Sequence, residues 1–244
     1  MKKVASLRYG VIFKKAFSQP DIFKAFVKDF IGIELNIDRV ETEKSFDPPI
    51  GSVDSRFDLF AEDKENRIIV DIQHVRYGDH YDRFLRYHCA ALLEKVGHSE
   101  THHTDFKLFT IVVLLSGDKH KVDIATVDFD LKDCEGNPLK EIPHKIWYVC
   151  PKYVTEETPQ PYREWLLAID DSLDEEVDET QYHKTAIQRI FELIARDAIS
   201  PQERARMKDE YSLEQLQQDK FEEGKEEGRK RVNNKMHLKR PAKC

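Results

Sequence analysis

The chain has 244 residues and a formal net charge of −7; 40% of its residues are hydrophobic and 35% are charged. This length is sufficient for one large α/β domain, or for a smaller domain with an extension, and for a buried core. The longest apolar run, as in Ile111–Leu115, has five residues, whereas a membrane span needs roughly 20. The Lys14-Lys15 pair interrupts any signal-like apolar stretch near the N-terminus. We therefore expect a cytoplasmic protein with no contact to the membrane.

The cysteines and the distribution of charge bear on which kinds of site and which partners the protein can have. The four cysteines contain no CxxC pair, which argues against a disulfide framework and against a cysteine zinc site. A net negative charge usually argues against a nucleic-acid partner, but here the charge is uneven. Residues 151–180 carry ten acids against two bases, whereas residues 220–244 have a net charge of +5. Because the C-terminal end is basic, the net negative charge does not exclude a nucleic-acid partner.

Hydrophobic periodicity predicts the secondary structure in chain order. The pattern places an amphipathic helix after Pro20, then two strands joined by a tight turn at residues 63–66, then a second helix and further strands. The predicted helices cover residues 21–31, 81–96, 162–169, 182–199 and 201–216, and the predicted strands cover 53–61, 67–73, 106–115, 122–131 and 146–149, with a loosely alternating stretch over 35–46. This order predicts an α/β fold in which helices flank a mixed sheet.

The predicted elements divide the chain into three regions. The core covers residues 1–155 and has the element order αβββαβ. A helical C-terminal region follows over residues 156–219, with an acidic loop at 170–179. A tail rich in Glu, Gly and Lys covers residues 220–244.

The pattern that carries chemistry lies on the two strands of the predicted hairpin. Asp58 is on the first strand, and Asp71 and Gln73 are on the same face of the second because side chains alternate along a strand. Pairing across the turn brings the two carboxylates together. Mg²⁺ prefers oxygen ligands of this kind, and the backbone carbonyl of Ile72 offers a third. The alternative interpretation is a set of polar residues on the solvated face of a hairpin.

Basic residues near this pattern are candidate phosphate contacts. Arg83 lies on the following predicted helix, where its guanidinium can reach a phosphate held at the carboxylates. Lys14 and Lys15 are further candidates for contacts to a nucleic-acid backbone. In the alternative interpretation, Arg83 is a surface arginine that pairs with Asp79 or Asp82, and the two lysines are solvated.

Several short motifs resemble the PD-(D/E)XK nuclease superfamily and, within it, the recombination-promoting (Rpn) nucleases and related transposase-like proteins. The resemblance covers roughly residues 9–230. It depends on the block Tyr9–Phe17, on Phe57-Asp58-Leu59 followed by Val70-Asp71-Ile72-Gln73, on Arg83 with Tyr87, and on the Glu-Gly-Lys-Glu-Glu-Gly-Arg segment at residues 223–229. The chain departs from the family pattern in having Asp71 in place of Glu, Gln73 in place of the superfamily Lys, and Tyr9 in place of Asp.

The resemblance implies a restriction-endonuclease-like core with a C-terminal helical extension. It also implies a DNA endonuclease that uses Mg²⁺, or alternatively Mn²⁺, and that promotes recombination or acts in a mobile element. Asp58, Asp71 and Gln73 would be the catalytic residues, and Asp58, Asp71 and the Ile72 carbonyl would hold the metal. The partner would be DNA, and self-association into a homo-oligomer is left open.

Two other functions remain open from the sequence. One is a nuclease fold that has lost its catalytic site and serves as a DNA-binding or protein-interaction module. The other is a helical oligomerisation segment, which depends only on residues 180–230.

Overall fold

The computed structural model describes residues 1–46, 55–74, 80–96, 106–216 and 219–220. Its helices are α1 (Gly10–Phe17), α2 (Pro20–Ile31), α3 (His80–Val96), α4 (Tyr162–Ser172), α5 (Thr185–Leu193) and α6 over residues 201–216. Its strands are β1 (Lys2–Lys3), β2 (Glu41–Phe46), β3 (Ser55–Glu62), β4 (Asn66–Gln73), β5 (Lys107–Leu114), β6 (Ile124–Asp128), β7 (Lys145–Val149) and β8 (Glu176–Val177).

Six of these strands form one mixed sheet in the order β2-β3-β4-β5-β7-β6. Strands β2, β3 and β4 are antiparallel neighbours, β4, β5 and β7 run parallel, and β6 closes the far edge as an antiparallel strand. The element order α1-α2-β2-β3-β4-α3-β5 gives an α/β fold with a mixed sheet flanked by helices, as the sequence pattern predicts.

The central strands are apolar on both faces because helices cover both sides of the sheet. In β4, Ile68, Ile69 and Val70 are consecutive in sequence and all fully buried, which is typical of strands in the middle of an α/β sheet. On one side, Phe84 of α3 packs in a core cluster with Val112 of β5 and other residues of the sheet. This packing fixes α3 beside the carboxyl end of β4.

The C-terminal helices α4 and α5 belong to the same compact unit as the sheet. The contacts group Met1–Ser200 into one unit and Pro201–Cys244 into another. The Trp165 ring lies 5.1 Å from that of Phe26, and its Nε1 donates to Asp29 Oδ2 at 2.6 Å. The residues on either side of position 155 therefore lie in one compact unit.

The N-terminal segment explains where the observed elements differ from the predicted ones. The helix predicted over 182–199 ends at Leu193, because the amide of Ala5 donates to the Ile194 carbonyl at 2.7 Å and Val4 bridges to Ala195. The acidic stretch 170–179 is not one loop. It contains the end of α4 and strand β8, which pairs with β1. The sequence pattern predicted neither β1 nor α1.

The second unit is described only as a helix. Helix α6 exposes Tyr211, Leu213 and Leu216, and the charged tail predicted from residue 220 lies outside the described residues from 221 onward. Among the described helices, none has the combination of length and apolar composition that crossing a bilayer requires.

Candidate active site

The two aspartates of the sequence pattern meet where the ladder between β3 and β4 ends. The last paired residues are Leu59 and Val70, and Asp58 and Asp71 follow at the next position of the same register. The amide of Asp58 donates to Asp71 Oδ1 at 3.1 Å, and the amide of Ile72 donates to Asp58 Oδ2 at 3.0 Å. Each carboxylate thus takes the place of a ladder carbonyl, and the two side chains are fixed against each other across the strands.

Asp71 is the more deeply buried carboxylate of the pair, with only 4% of the residue exposed. Burial, and next the neighbouring Asp58 carboxylate, raise the pKa of Asp71 well above its usual range, although the Asp58 amide, Arg83 and Lys14 act in the opposite direction. Its Oδ2 atom is buried and has no hydrogen-bond partner among the residues that the structure describes. A buried carboxylate oxygen in this situation is costly unless a cation or a proton satisfies it.

Gln73 and Arg83 extend the site along β4 toward α3. Gln73 is buried, and its Oε1 accepts a hydrogen bond of 2.6 Å from Arg83 Nη2. The Arg83 guanidinium also lies 4.7 Å from the centre of the Phe84 ring. Through this contact Arg83, which the sequence predicts to bind phosphate, lies beside Gln73, which it predicts to be catalytic. Of its alternative partners, Asp79 lies outside the described residues.

The main chain of Ile72 faces the same end of β3. The Gln73 carbonyl accepts from the amide of Leu115 and is therefore turned toward β5. Successive residues of a strand direct their backbone groups to opposite sides, so the Ile72 carbonyl lies on the β3 side, as its amide contact with Asp58 also indicates. The carbonyl thus points toward β3, the strand that carries Asp58.

Lys14 of α1 also reaches the pair, and two residues that the sequence pattern did not single out, Glu43 and Arg56, lie beside it. Lys14 Nζ lies 3.6 Å from Asp58 Oδ1 and 2.8 Å from Glu43 Oε1. Glu43 occupies the position opposite Asp58 in the register of β2 and β3, and its other oxygen accepts a hydrogen bond from Arg56. Glu43, Asp58 and Asp71 therefore form one row across three strands. The sequence of β2 alternates only loosely, so this row becomes visible only from the pairing of β2 with β3.

Lys15 is not brought to the site. Its Nζ donates to the Ala198 carbonyl at 2.7 Å. Successive residues on a helix point about 100° apart, which explains why Lys14 and Lys15 have different partners.

The two carboxylates of the site are ligands suited to a hard divalent cation, but they provide only a small number of protein ligands. Two carboxylates, one with an unsatisfied buried oxygen, match the one or two protein carboxylates by which Mg²⁺ is usually held, with water and substrate phosphate at its other positions. Within the described part of the chain, no group of three or more His, Cys, Asp or Glu side chains is arranged to hold a metal ion. The site therefore suits a cation that keeps much of its water.

Comparison of the chain with protein-family models, with curated proteins and with solved structures found no significant match.

Proposed function

We propose that this protein is a metal-dependent DNA endonuclease with a restriction-endonuclease-like core, related to the recombination-promoting nucleases that its motifs resemble. The observation that carries the proposal is the coupled pair Asp58 and Asp71, in which a buried Asp71 oxygen lacks a partner among the described residues. Two cations near the pair, Lys14 and Arg83, support a polyanionic substrate.

In this proposal each residue of the site has a distinct role. Asp58, Asp71 and the Ile72 carbonyl would hold Mg²⁺, which when bound would neutralise phosphate charge and make a bound water more acidic. Gln73, whose Oε1 accepts from Arg83, would position a phosphate oxygen or the attacking water as a neutral hydrogen-bonding group. Arg83 adds a positive charge beside the phosphate.

The proposal is tested by cleavage of supercoiled plasmid DNA with Mg²⁺, with Mn²⁺ and with EDTA. We expect nicking that needs the metal and that is abolished in Asp58→Asn and in Asp71→Asn, because either change removes half of the carboxylate charge. Asp21→Asn is the matched control, since Asp21 is a half-exposed carboxylate of α2 that pairs with Arg189. Cleavage that survives EDTA, or that is equal in all three variants, would contradict the proposal.

A second function is favoured by the main-chain contacts of the same pair. Asp58 and Asp71 each accept a backbone amide, so each carboxylate has a structural role that does not depend on a metal. A carboxylate pair with this structural role would also be kept in a nuclease fold that binds DNA or protein without cleaving. The two functions differ in their response to Mg²⁺: a working site raises the melting temperature as the cation is added, whereas a decayed site gives no shift and no cleavage.

A further inference from the structure

We propose that Lys14 is a catalytic residue whose ammonium group contacts the reacting phosphate, and that Glu43 is the positioning residue that holds it there. The inference rests on the proposed function, because it names a group that meets the substrate of that reaction. It goes beyond the expectation from sequence, in which Lys14 is a candidate contact to the nucleic-acid backbone.

The position of the ammonium group is the first support for this role. Lys14 Nζ lies between Glu43 Oε1 at 2.8 Å and Asp58 Oδ1 at 3.6 Å, and only 19% of the Lys14 side chain is exposed. A lysine that serves mainly to attract DNA usually extends into solvent. This one ends at the carboxylate on which the proposed metal site depends.

The backbone of Glu43 is the second support. Its φ of 58° lies in the left-handed region, which is uncommon for residues other than glycine and costs of order 1 kcal/mol or more. Such conformations persist where the surroundings hold them, and they cluster at functional sites. Here the contacts with Lys14 and Arg56 fix the Glu43 carboxylate in the row that leads to Asp58 and Asp71.

The balance of charge indicates what the ammonium does. Asp58 and Asp71 repel an approaching phosphate, and Gln73 is neutral, so positive charge must come from elsewhere. Arg83 supplies it beside Gln73, and Lys14 supplies it beside Asp58. With a divalent cation at Asp58, the Lys14 ammonium would be repelled by that cation and would be held by Glu43. A phosphate at the site is then the nearest further anion within its reach.

The test compares Lys14→Gln, Glu43→Gln and the control Lys28→Gln. Lys28 is also bound to a glutamate, with its Nζ 2.6 Å from Glu34 Oε1, but it lies on α2 and is largely exposed. Two quantities are measured on the full chain: kcat and KM for a DNA duplex with Mg²⁺, and the affinity for Mg²⁺ without DNA by calorimetry. Melting temperatures in EDTA establish that each variant is folded.

The two substitutions should change the affinity for Mg²⁺ in opposite directions. Lys14→Gln removes a cation that competes for Asp58, so we expect binding about tenfold tighter, the scale on which a nearby charge alters carboxylate affinity. Glu43→Gln leaves Lys14 with Asp58 alone, so we expect weaker binding. Lys14→Gln should lower kcat about 100-fold, the effect of losing one donor at a developing charge, with KM changed less than about threefold. Lys28→Gln should match the parent.

Three results would overturn the inference. A Lys14→Gln variant that raises KM while kcat stays at the parent value would make Lys14 an ordinary backbone contact. If the affinity for Mg²⁺ changes in the same direction in Lys14→Gln and Glu43→Gln, Glu43 and Asp58 do not compete for the Lys14 ammonium, and the inference is wrong. If the parent protein itself does not cleave DNA with either metal, the proposed function fails and this inference fails with it, whereas an active parent with an unaffected Lys14→Gln variant overturns the inference alone.

Discussion

At the scale of single residues, the carboxylates and the amide of the site should respond differently to truncation. Gln73 contributes a neutral hydrogen-bonding group and no charge, so Gln73→Ala should leave Mg²⁺ binding largely intact. The cleavage rate should fall about 10- to 1000-fold, the scale of losing one positioned donor. Titration of Mg²⁺ by melting temperature, together with plasmid cleavage, separates the two effects. A loss of metal binding equal to that of Asp58→Asn would contradict this assignment.

The burial of Asp71 predicts how stability depends on pH when no metal is present. Its native pKa is raised, so the native state binds a proton that the unfolded chain releases at its ordinary pKa of about 3.9. The free energy of unfolding therefore falls as pH rises from that value through the native pKa. Asp71→Asn keeps an oxygen for the Asp58 amide and does not titrate.

In EDTA, Asp71→Asn should become progressively more stable than the parent as pH rises above about 4. Urea denaturation at pH 5 and at pH 8 measures the difference, and Asp21→Asn serves as the control. If the variant is less stable than the parent by the same amount at both pH values, the Asp71 carboxylate is ionised in the native state and the prediction is wrong.

At the scale of elements, one buried arginine joins α3 to the sheet. Arg67 of β4 is 4% exposed, and it donates to Glu62, to Glu94 and to the Ala91 carbonyl. Its guanidinium also lies 5.1–5.3 Å from the centres of three aromatic rings, those of Phe46, Phe60 and Phe106. Because α3 carries Arg83, this contact also positions the site.

Arg67→Ala should lower the free energy of unfolding by about 3 kcal/mol, since it leaves the buried Ala91 carbonyl without this donor, removes the ion pairs with the partly exposed Glu62 and Glu94, and removes the packing with the rings. Arg39→Ala is the matched control, because the Arg39 side chain is 83% exposed and its Nη2 lies 3.7 Å from Glu41 Oε1. A surface pair of this kind contributes roughly 0–1 kcal/mol. Chemical denaturation measures both. Equal losses in the two variants would mean that burial adds nothing to the Arg67 contacts.

A buried histidine on the same helix makes the packing of α3 sensitive to acid. His88 Nδ1 lies 2.8 Å from Thr110 Oγ1, and burial, with His144 nearby, lowers the pKa of His88 to about 3. The unfolded chain takes up this proton near pH 6.5, whereas the native state does not. Stability should therefore fall as pH falls from about 6.5 toward 3.

His88→Asn keeps a nitrogen or oxygen near Thr110 but does not titrate in this range. We expect it to flatten the decline in the free energy of unfolding between pH 6.5 and 4.5 by up to about 1.4 kcal/mol per pH unit. A residual slope should remain because the pKa of His144 is also lowered by burial. His183→Asn, at an exposed position, should keep the slope of the parent. Parallel slopes in all three proteins would contradict the assignment to His88.

At the scale of the whole molecule, the division into two units predicts the effect of truncation. A chain that ends at Ser200 retains the compact unit that holds the sheet and the site. It should unfold cooperatively within about 2 °C of the parent and keep its response to Mg²⁺. Its DNA affinity should fall and depend less steeply on salt, because the removed residues 201–244 carry a net charge of +3 and include the basic tail 220–244 at +5. Unchanged DNA affinity and salt dependence would exclude the tail from binding.

The local parts of this structure could be predicted from sequence because their contacts are close along the chain. Alternation in β3 and β4, with only residues 63–65 between them, was enough to predict that the Asp58 and Asp71 carboxylates meet, although the pattern placed Asp58 opposite a neighbour of Asp71 and the register places it opposite Asp71 itself. The helical spacing of α2 and α3 likewise predicted their bounds to within a residue. In each case the hydrophobic pattern and the chain connection by themselves restrict the arrangement.

The tertiary structure alone decided the contacts that join distant segments. Lys14 and Glu43 are 29 residues apart, and Trp165 and Asp29 are 136 apart. No periodicity records which helix lies beside which strand, so neither contact follows from the pattern of either segment. The same holds for β1 and α5, where pairing with the N-terminal segment ends a helix whose own sequence would continue. The sequence by itself determined the α/β class and the aspartate pair, because these depend on local pattern, whereas the packing of α1 against the sheet decided which cation meets that pair.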